Sequence, residues 1–469
     1  MKNENNKSLI IYELNEIPKK VLEHYIYKYP RSNLAKLCRK DGYSETFTSD
    51  AGELHPWSSW PTFHRGVNSQ KHKIKFLNQD ISKATKFPPI WQKLKEEGFS
   101  IGIFGSLQSF PPLKGKNVKF FLPDTFAPYP NAYPKYLEDF QTFNLALTMR
   151  NKAHTRGIEY RDIRKFLKLI LNGMFSIQTL YKIFSHVFLE ILNTKFKSRR
   201  SLIQPILGFD VYFKLLKKHK PQFSTFFSNH VAGIMHRYWK DSFPEDFKEN
   251  KNKYLRDSFN AASLDIALNI ADYQIGLLLD FQNNRGGKIW VVSALGQKAI
   301  NWGEYIPEIT LDSEDDLLNL MGLEKTNYKF VPSMHPDINV ECKNKLALKN
   351  LRSSFASLTD LDDCKLFIER YEPVNNTINF TLNSSKVLSK TNKLKYNNIT
   401  YGLSNFGFSF VERDLGTGYH FPKGIFISND PYDIKIYNEK SNGCIDTTSF
   451  YCHILNYFKD NNLSTINNK

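Results

Sequence analysis

The sequence predicts an α/β fold: a mainly parallel central sheet sandwiched by helices, with a basic helical insertion and a smaller cap insertion. Three observations lead there. Short, continuous apolar runs such as Leu9-Ile10-Ile11-Tyr12 and Lys288-Ile289-Trp290-Val291-Val292-Ser293 read as strands covered on both faces. Segments with helical spacing alternate with them, as parallel crossovers require. Polar residues follow several of the strands, where open parallel sheets gather their ligands.

In chain order, Leu9–Tyr12 is a buried first strand that runs into a polar loop, Glu13-Leu14-Asn15-Glu16. Pro18 to Tyr27 reads as a helix. Ile90–Glu97 is a second helix, with Gly98 near its C-cap, and leads to the strand Ser100–Gly105. Thr225–His230 reads as a strand entering a loop, Asn260–Phe281 as a long amphipathic helix, and Lys288–Ser293 as a compact buried strand. The loops after Tyr12, Ser228, Ser293 and Gly418 are the expected walls of a site. Two segments break the alternation. Residues 150–220 are predominantly helical, and residues 312–400 are polar with short strand candidates such as Thr377–Thr381. Residues 8–469 therefore read as one domain carrying two insertions.

Composition narrows the class. With 469 residues, 41% hydrophobic and 14% aromatic, the chain can bury a large core. Its five cysteines are scattered without CxxC spacing, so they frame neither disulfides nor a zinc ribbon. No run approaches the roughly 20 apolar residues of a membrane span, and Leu9–Tyr12 is too short for a signal sequence. The expectation is a reduced, cytoplasmic protein, peripheral at the inner face of the membrane if the insertion docks there. The net charge is +17, yet residues 150–220 hold sixteen Lys/Arg against four acids. The basicity belongs to that insertion. Its interleaved apolar and basic residues suit an anionic membrane surface, a polyanionic glycan, or a solvated helical cap. Nucleic acid is disfavoured, because no RNP, zinc-finger or helix-turn-helix signature is present.

Several motifs recur in a fixed order. Gly416-Thr417-Gly418-Tyr419-His420 runs through Pro422-Lys423-Gly424 into an apolar strand. Pro61–His72 contains Gly66 and His72, Asn229–Trp239 contains His236 and Trp239, and Ser293-Ala294-Leu295-Gly296 ends a strand. Ile445-Asp446-Thr447-Thr448 closes the series. Together these resemble the alkaline phosphatase superfamily, in its phosphodiesterase and nucleotide pyrophosphatase branch. The resemblance implies an active site with two divalent metals, a Ser or Thr nucleophile, and in-line displacement at phosphorus or sulfur. It also implies where this chain departs. Asn15 stands where the family has a metal-binding Asp, with Glu13 and Glu16 as nearby carboxylates. Pro56 falls at the nucleophile position. Ala232 replaces the Asp four residues before His236, and Ala294-Leu295 replaces the Asp-His pair of the second metal. The segment Glu53–Trp60, with Glu-Leu-Asn-Glu at the first strand, also resembles a poorly characterised bacterial branch found in surface-polysaccharide contexts.

The candidate metal ligands are His230, His236 and His420, a set suited to one zinc or manganese with an open position. The alternatives are a metal-free imidazole cluster doing acid–base work, or relics in hydrogen-bonding roles. Glu53, His55, Ser59 and His64 are the catalytic candidates around the nucleophile position. Glu13, Asn15, Trp57 and Arg65 are candidates for substrate contact, Trp57 as a stacking platform and Arg65 as an anion grip. The plain alternatives are helix capping for Glu53, His64 and Arg65, core packing for the Trp57–Trp60 pair, and a surface position for His335. The expected function is a divergent hydrolase or transferase on a phosphorylated or other anionic substrate, small-molecule or glycan. A silent binding or scaffold protein of the same fold is the alternative.

Overall fold

The computed structural model describes residues 7–77, 79, 81–150, 160–250, 256–301, 308–331, 333, 337–370, 372–373, 376–383, 393–411, 416–435 and 444–459. His335 and both chain ends, 1–6 and 460–469, lie outside the described residues.

At the centre of an eight-stranded sheet lies β1 (Leu9–Leu14), buried along its whole length. It pairs in parallel with β5 (Phe223–Ser228) and β6 (Lys288–Val292). Beyond β5 come β3 (Ile101–Phe104) and β4 (Val118–Leu122), also parallel. Beyond β6 the strand Lys423–Ser428 runs antiparallel, followed by β2 (Ser44–Phe47) and the edge strand Cys444–Asp446. Five of the seven pairings are parallel, as the apolar runs separated by helical segments predict.

The pleat of β1 sends alternate residues to opposite faces. Ile10, Tyr12 and Leu14 enter one core with Val21 and Tyr25 of the first helix, Tyr212 of the helix Ile203–His219, and Leu264 and Ile275 of the helix Ser258–Asn283. Leu9 and Ile11 enter the other with Trp60 and Phe63 of the helix Pro56–Arg65, Trp91, and Phe450 of the helix Ser449–Lys459. Glu13 falls on this second face. A third core lies among residues 309–408, under a four-stranded antiparallel sheet and the helix Lys345–Ala356.

The strands depart from the sequence pattern in two places. β1 does not stop at Tyr12 but continues to Leu14, so Glu13 is a strand residue and not part of the loop. β2, reading Ser-Glu-Thr-Phe, was not anticipated, because four largely polar residues carry no periodic signal.

Candidate metal and acid–base site

The backbone N–H of Asn15 donates to Ser228 O at 3.0 Å, carrying the β1–β5 register one residue past the strand. That bond sets the loop after β1 beside the loop after β5. Glu16 follows with φ at +62°, a left-handed conformation that a Glu adopts only where its surroundings enforce it. The turn aims the Glu16 carboxylate at two imidazoles. Its Oε2 lies 2.9 Å from Nε2 of His236, and its Oε1 lies 3.4 Å from Nε2 of His420.

His236 is on the second turn of the helix His230–Ser242, which begins directly after β5. His420 is on the strand Gly418–Phe421, antiparallel to Gly296–Ala299 with His420 opposite Gln297. The Gly-Thr-Gly sequence explains how that strand reaches the helix. A Cβ at Gly416 would stand 2.4 Å from His236 O, and one at Gly418 would stand 2.6 Å from Met235 O. Thr417 then bridges the two elements, its N–H donating to His236 O at 2.7 Å and its Oγ1 accepting from Lys240 N at 2.9 Å.

The chemistry follows from hydrogen-bond direction. Gly418 O is 2.8 Å from Nδ1 of His236, and a carbonyl only accepts, so Nδ1 carries the proton. Nε2 then turns toward a carboxylate oxygen, and two acceptors at 2.9 Å require a cation between them, a proton or a metal. Burial works against ionisation of Glu16, but His420 and His236 beside it hold its carboxyl well below the ordinary carboxylate range. Glu16 also accepts from Asn15 Nδ2 at 2.8 Å and from Gln297 Nε2. Nδ1 of His420 is buried with no hydrogen-bond partner among the described residues. One ligand atom from each of Glu16, His236 and His420 lies within 4.8 Å of the others. Two imidazoles and one carboxylate form the donor set of an open catalytic zinc site and also suit manganese. The residues present therefore fit one divalent metal. Ala294 and Leu295, the pair at which the resemblance implies a second metal's ligands, are buried, and their side chains carry no donor atoms.

Asn15 has a different role from the substrate contact expected of it. Its Oδ1 accepts from Trp60 Nε1 at 2.7 Å, and its Nδ2 donates to Asn229 Oδ1 at 2.7 Å as well as to Glu16. It orients the carboxylate.

A second group adjoins the first. The His55 ring lies 5.4 Å from that of His420 and stacks at 4.4 Å on Trp57. Arg370, from the segment after the strand Phe367–Glu369, places its guanidinium 3.1 Å from Glu53 and 3.0 Å from Asp337. Tyr419 Oη donates to Glu53 Oε1 at 2.5 Å. Burial, then the charges of His420 and Arg370, push His55 well below the ordinary imidazole range, so it is neutral. Glu53 and His55 thus stand beside the three-residue cluster.

Other candidates point elsewhere. His230 cannot serve as a ligand: Nδ1 is 2.8 Å from Ser228 Oγ, Nε2 is 2.8 Å from Ala267 O, and burial pushes its pKa down to about 4. The neighbouring Asn229 accepts from Asn15 Nδ2, the group that also donates to Glu16. Glu13 and His64 pair with each other at 2.7 Å, both sealed from solvent, because the extended strand carries Glu13 into the helical layer. Arg65 is not turned to the site as an anion grip: buried, it donates to the carbonyls of Ala84 and Phe87 and ties down a neighbouring segment. Trp57 donates to Lys75 O at 3.1 Å and carries His55 on its face, so it is not a free platform. Ser59 is fully buried inside its helix, and Pro56 is that helix's first residue. Arg370, Asp337 and Gln297 were not singled out from sequence. Only the resemblance's Ser-Asp-His-Gly frame, continued by one residue, could have pointed to Gln297.

Several solved structures are similar to the chain, all at low sequence identity. Phosphonoacetate hydrolase from Sinorhizobium meliloti 1021 is 11% identical with a TM-score of 0.42, over 97% of this chain and 96% of that one. Murine ectonucleotide pyrophosphatase/phosphodiesterase 5 is 10% identical with a TM-score of 0.39, over 96% and 95%. Alkaline phosphatase from the Antarctic bacterium TAB5 is 10% identical with a TM-score of 0.39, over 97% and 98%. No family model and no curated protein matches the chain.

Proposed function

We propose that this chain is an alkaline phosphatase-like hydrolase or transferase that works with a single divalent metal on a phosphorylated or other anionic substrate. The observation that carries the reading is the convergence of Glu16, His236 and His420, with His236 locked in the tautomer that presents Nε2. Those three residues would hold the metal. When bound, it would supply positive charge against the anionic group in flight.

The hydroxyls of the helix Pro56–Arg65 argue against a covalent intermediate. Ser58 Oγ donates to His55 O at 3.0 Å, and Thr62 Oγ1 lies between Asp50 Oδ1 at 2.7 Å and His72 Nε2 at 3.0 Å. Ser59 is sealed, so none of the three is presented for attack. The reading is therefore direct transfer to water or to an acceptor hydroxyl. Neutral His55 is the general base, with the Arg370 guanidinium 3.4 Å and the Glu53 carboxylate 3.6 Å from its Nε2. A substrate in surface-polysaccharide or lipid-linked glycan metabolism fits the resemblance to the bacterial branch.

The test is metal content on protein purified without chelator or nickel resin, followed by hydrolysis of aryl phosphate mono- and diesters. About one zinc or manganese per chain, lost in His236→Ala/His420→Ala together with activity, supports the proposal. A chain that takes up no metal on titration refutes it. The second reading, a silent binding protein, has Pro56 and the buried Ala294-Leu295 pair in its favour. Metal uptake without turnover of any ester would select it.

A further inference from the structure

The helix Ile177–Leu192 packs on the body of the protein by one side and carries an apolar row on the other. Thr179, Ile183 and Glu190 face inward, and Ile183 joins the core beneath the sheet. Ile177, Tyr181, Phe184, Phe188 and Ile191 recur at intervals of three and four along the opposite side and are exposed by 86, 73, 58, 60 and 76%. Val187 and Leu192 widen the stripe, and Leu167 and Leu171 are exposed on the preceding helix, Tyr160–Leu171. Single exposed apolar residues are ordinary; an aligned row of aromatic and branched side chains turned to water is not. The inward face already fixes the helix on the body of the protein, and among the described residues the outer row stays largely uncovered.

Its surroundings are basic. From Arg164 to Arg200 the chain carries eight Lys/Arg against one acid, Glu190; Arg199 is buried and Lys168 pairs with Asp139 at 2.8 Å, which leaves Arg164, Lys165, Lys182, Lys195, Lys197 and Arg200 around the face. Glu190 is buried and bound to Arg200 Nη2 at 2.6 Å and His186 at 3.0 Å. We propose that this face lies flat on an anionic lipid bilayer, with the Ile177–Ile191 row entering the headgroup boundary and the flanking lysines meeting lipid phosphates.

Charge decides the occupant. A symmetric dimer through the same face would set one basic surface against another. A nucleic acid would meet the apolar row with its phosphates. An anionic bilayer matches both features at once, and Tyr181, Phe184 and Phe188 are residue types that settle at its interface. Among the described residues no helix is long and apolar enough to cross a membrane, so the helix lies on the surface.

The experiment is flotation of the full chain with vesicles of phosphatidylcholine, alone or doped with phosphatidylglycerol, at low and high salt. The variants are Phe184→Glu/Phe188→Glu/Ile191→Glu and, separately, Lys195→Glu/Lys197→Glu. All five side chains are solvent-facing, and circular dichroism verifies the fold. The expected result is binding to the anionic vesicles, weakened by salt and reduced at least about tenfold by the apolar triple variant. The charge variant should reduce it less and flatten the salt dependence. Absence of binding to anionic vesicles would overturn the proposal, as would binding that the triple variant leaves intact. A concentration-dependent dimer abolished by the triple variant, with no vesicle binding, would assign the face to a second copy and also overturn it.

Discussion

Two carboxylates three residues apart in this sequence, Glu13 and Glu16, each meet an imidazole, and the two groupings serve opposite purposes. Glu13 and His64 meet at 2.7 Å with side-chain exposures of 0 and 1%, among Trp60, Phe63 and Trp91. Glu16 meets His236 at 2.9 Å, and there the imidazole keeps 32% of its surface. The same chemical groups form a sealed strut in one place and an accessible cluster in the other. The difference arises from backbone geometry. Glu13 is the fifth residue of a strand, so the pleat commits it to the helical layer; Glu16 itself takes a left-handed φ beyond the strand end, beside the loop after β5. A pair of this kind is therefore interpretable only with its exposure in hand.

The largest effect should come from breaking the sealed pair. His64→Leu leaves the Glu13 charge buried alone and is expected to cost about 3–5 kcal/mol in chemical denaturation. Metal stoichiometry should stay unchanged. The double variant Glu13→Leu/His64→Leu should recover most of that loss; if it does not, the pair does more than hold the helix to the sheet.

His230 extends the comparison, as an imidazole sealed like His64 but facing a carbonyl and no carboxylate. Its folded pKa of about 4 lies below the unfolded value near 6.5. Between those values the unfolded chain takes up a proton that the folded chain refuses, so stability falls as pH drops from about 6.5 toward 4, by up to roughly 3 kcal/mol. Unfolding midpoints measured across that window should decline, and His230→Asn should flatten the decline.

On the accessible side, Glu16→Gln removes the only charge from the donor set. Zinc affinity measured by calorimetry should fall at least about 100-fold. Its cost to stability should be smaller than that of His64→Leu. Equal zinc affinity in Glu16→Gln and wild type would remove Glu16 from the site. The smallest change is expected for Trp60→Phe, which deletes the hydrogen bond to Asn15 Oδ1. About 1 kcal/mol of stability should be lost, with a modest weakening of metal affinity, because Glu16 remains while its orienting partner loosens.

Much of the scaffold was legible because buried parallel strands write themselves as apolar runs. Leu9–Tyr12, Ile101–Phe104, Thr225–Ser228 and Lys288–Val292 are all found in the central sheet. His236 and His420 were legible through the motifs that contain them. His230 misled because it stands beside the strand end in sequence, while as the first residue of its helix it rotates toward Ala267. Arg370 was invisible for another reason. It comes from a polar segment more than 300 residues distant from His55, and long-range proximity leaves no local periodicity.

Residue identity alone therefore determined the sheet class, the order of the loops around its carboxyl ends, and the absence of side-chain donor atoms at Ala294 and Leu295. Side chains that lack donor atoms lack them in any fold. Only the tertiary structure decided which carboxylate meets which imidazole. A strand longer by two residues and one positive φ redirect Glu13 and Glu16 to opposite destinations, and neither is encoded by spacing. Both follow from pairing with β5 and β6 and from the packing of the Gly-Thr-Gly strand against the helix that carries His236.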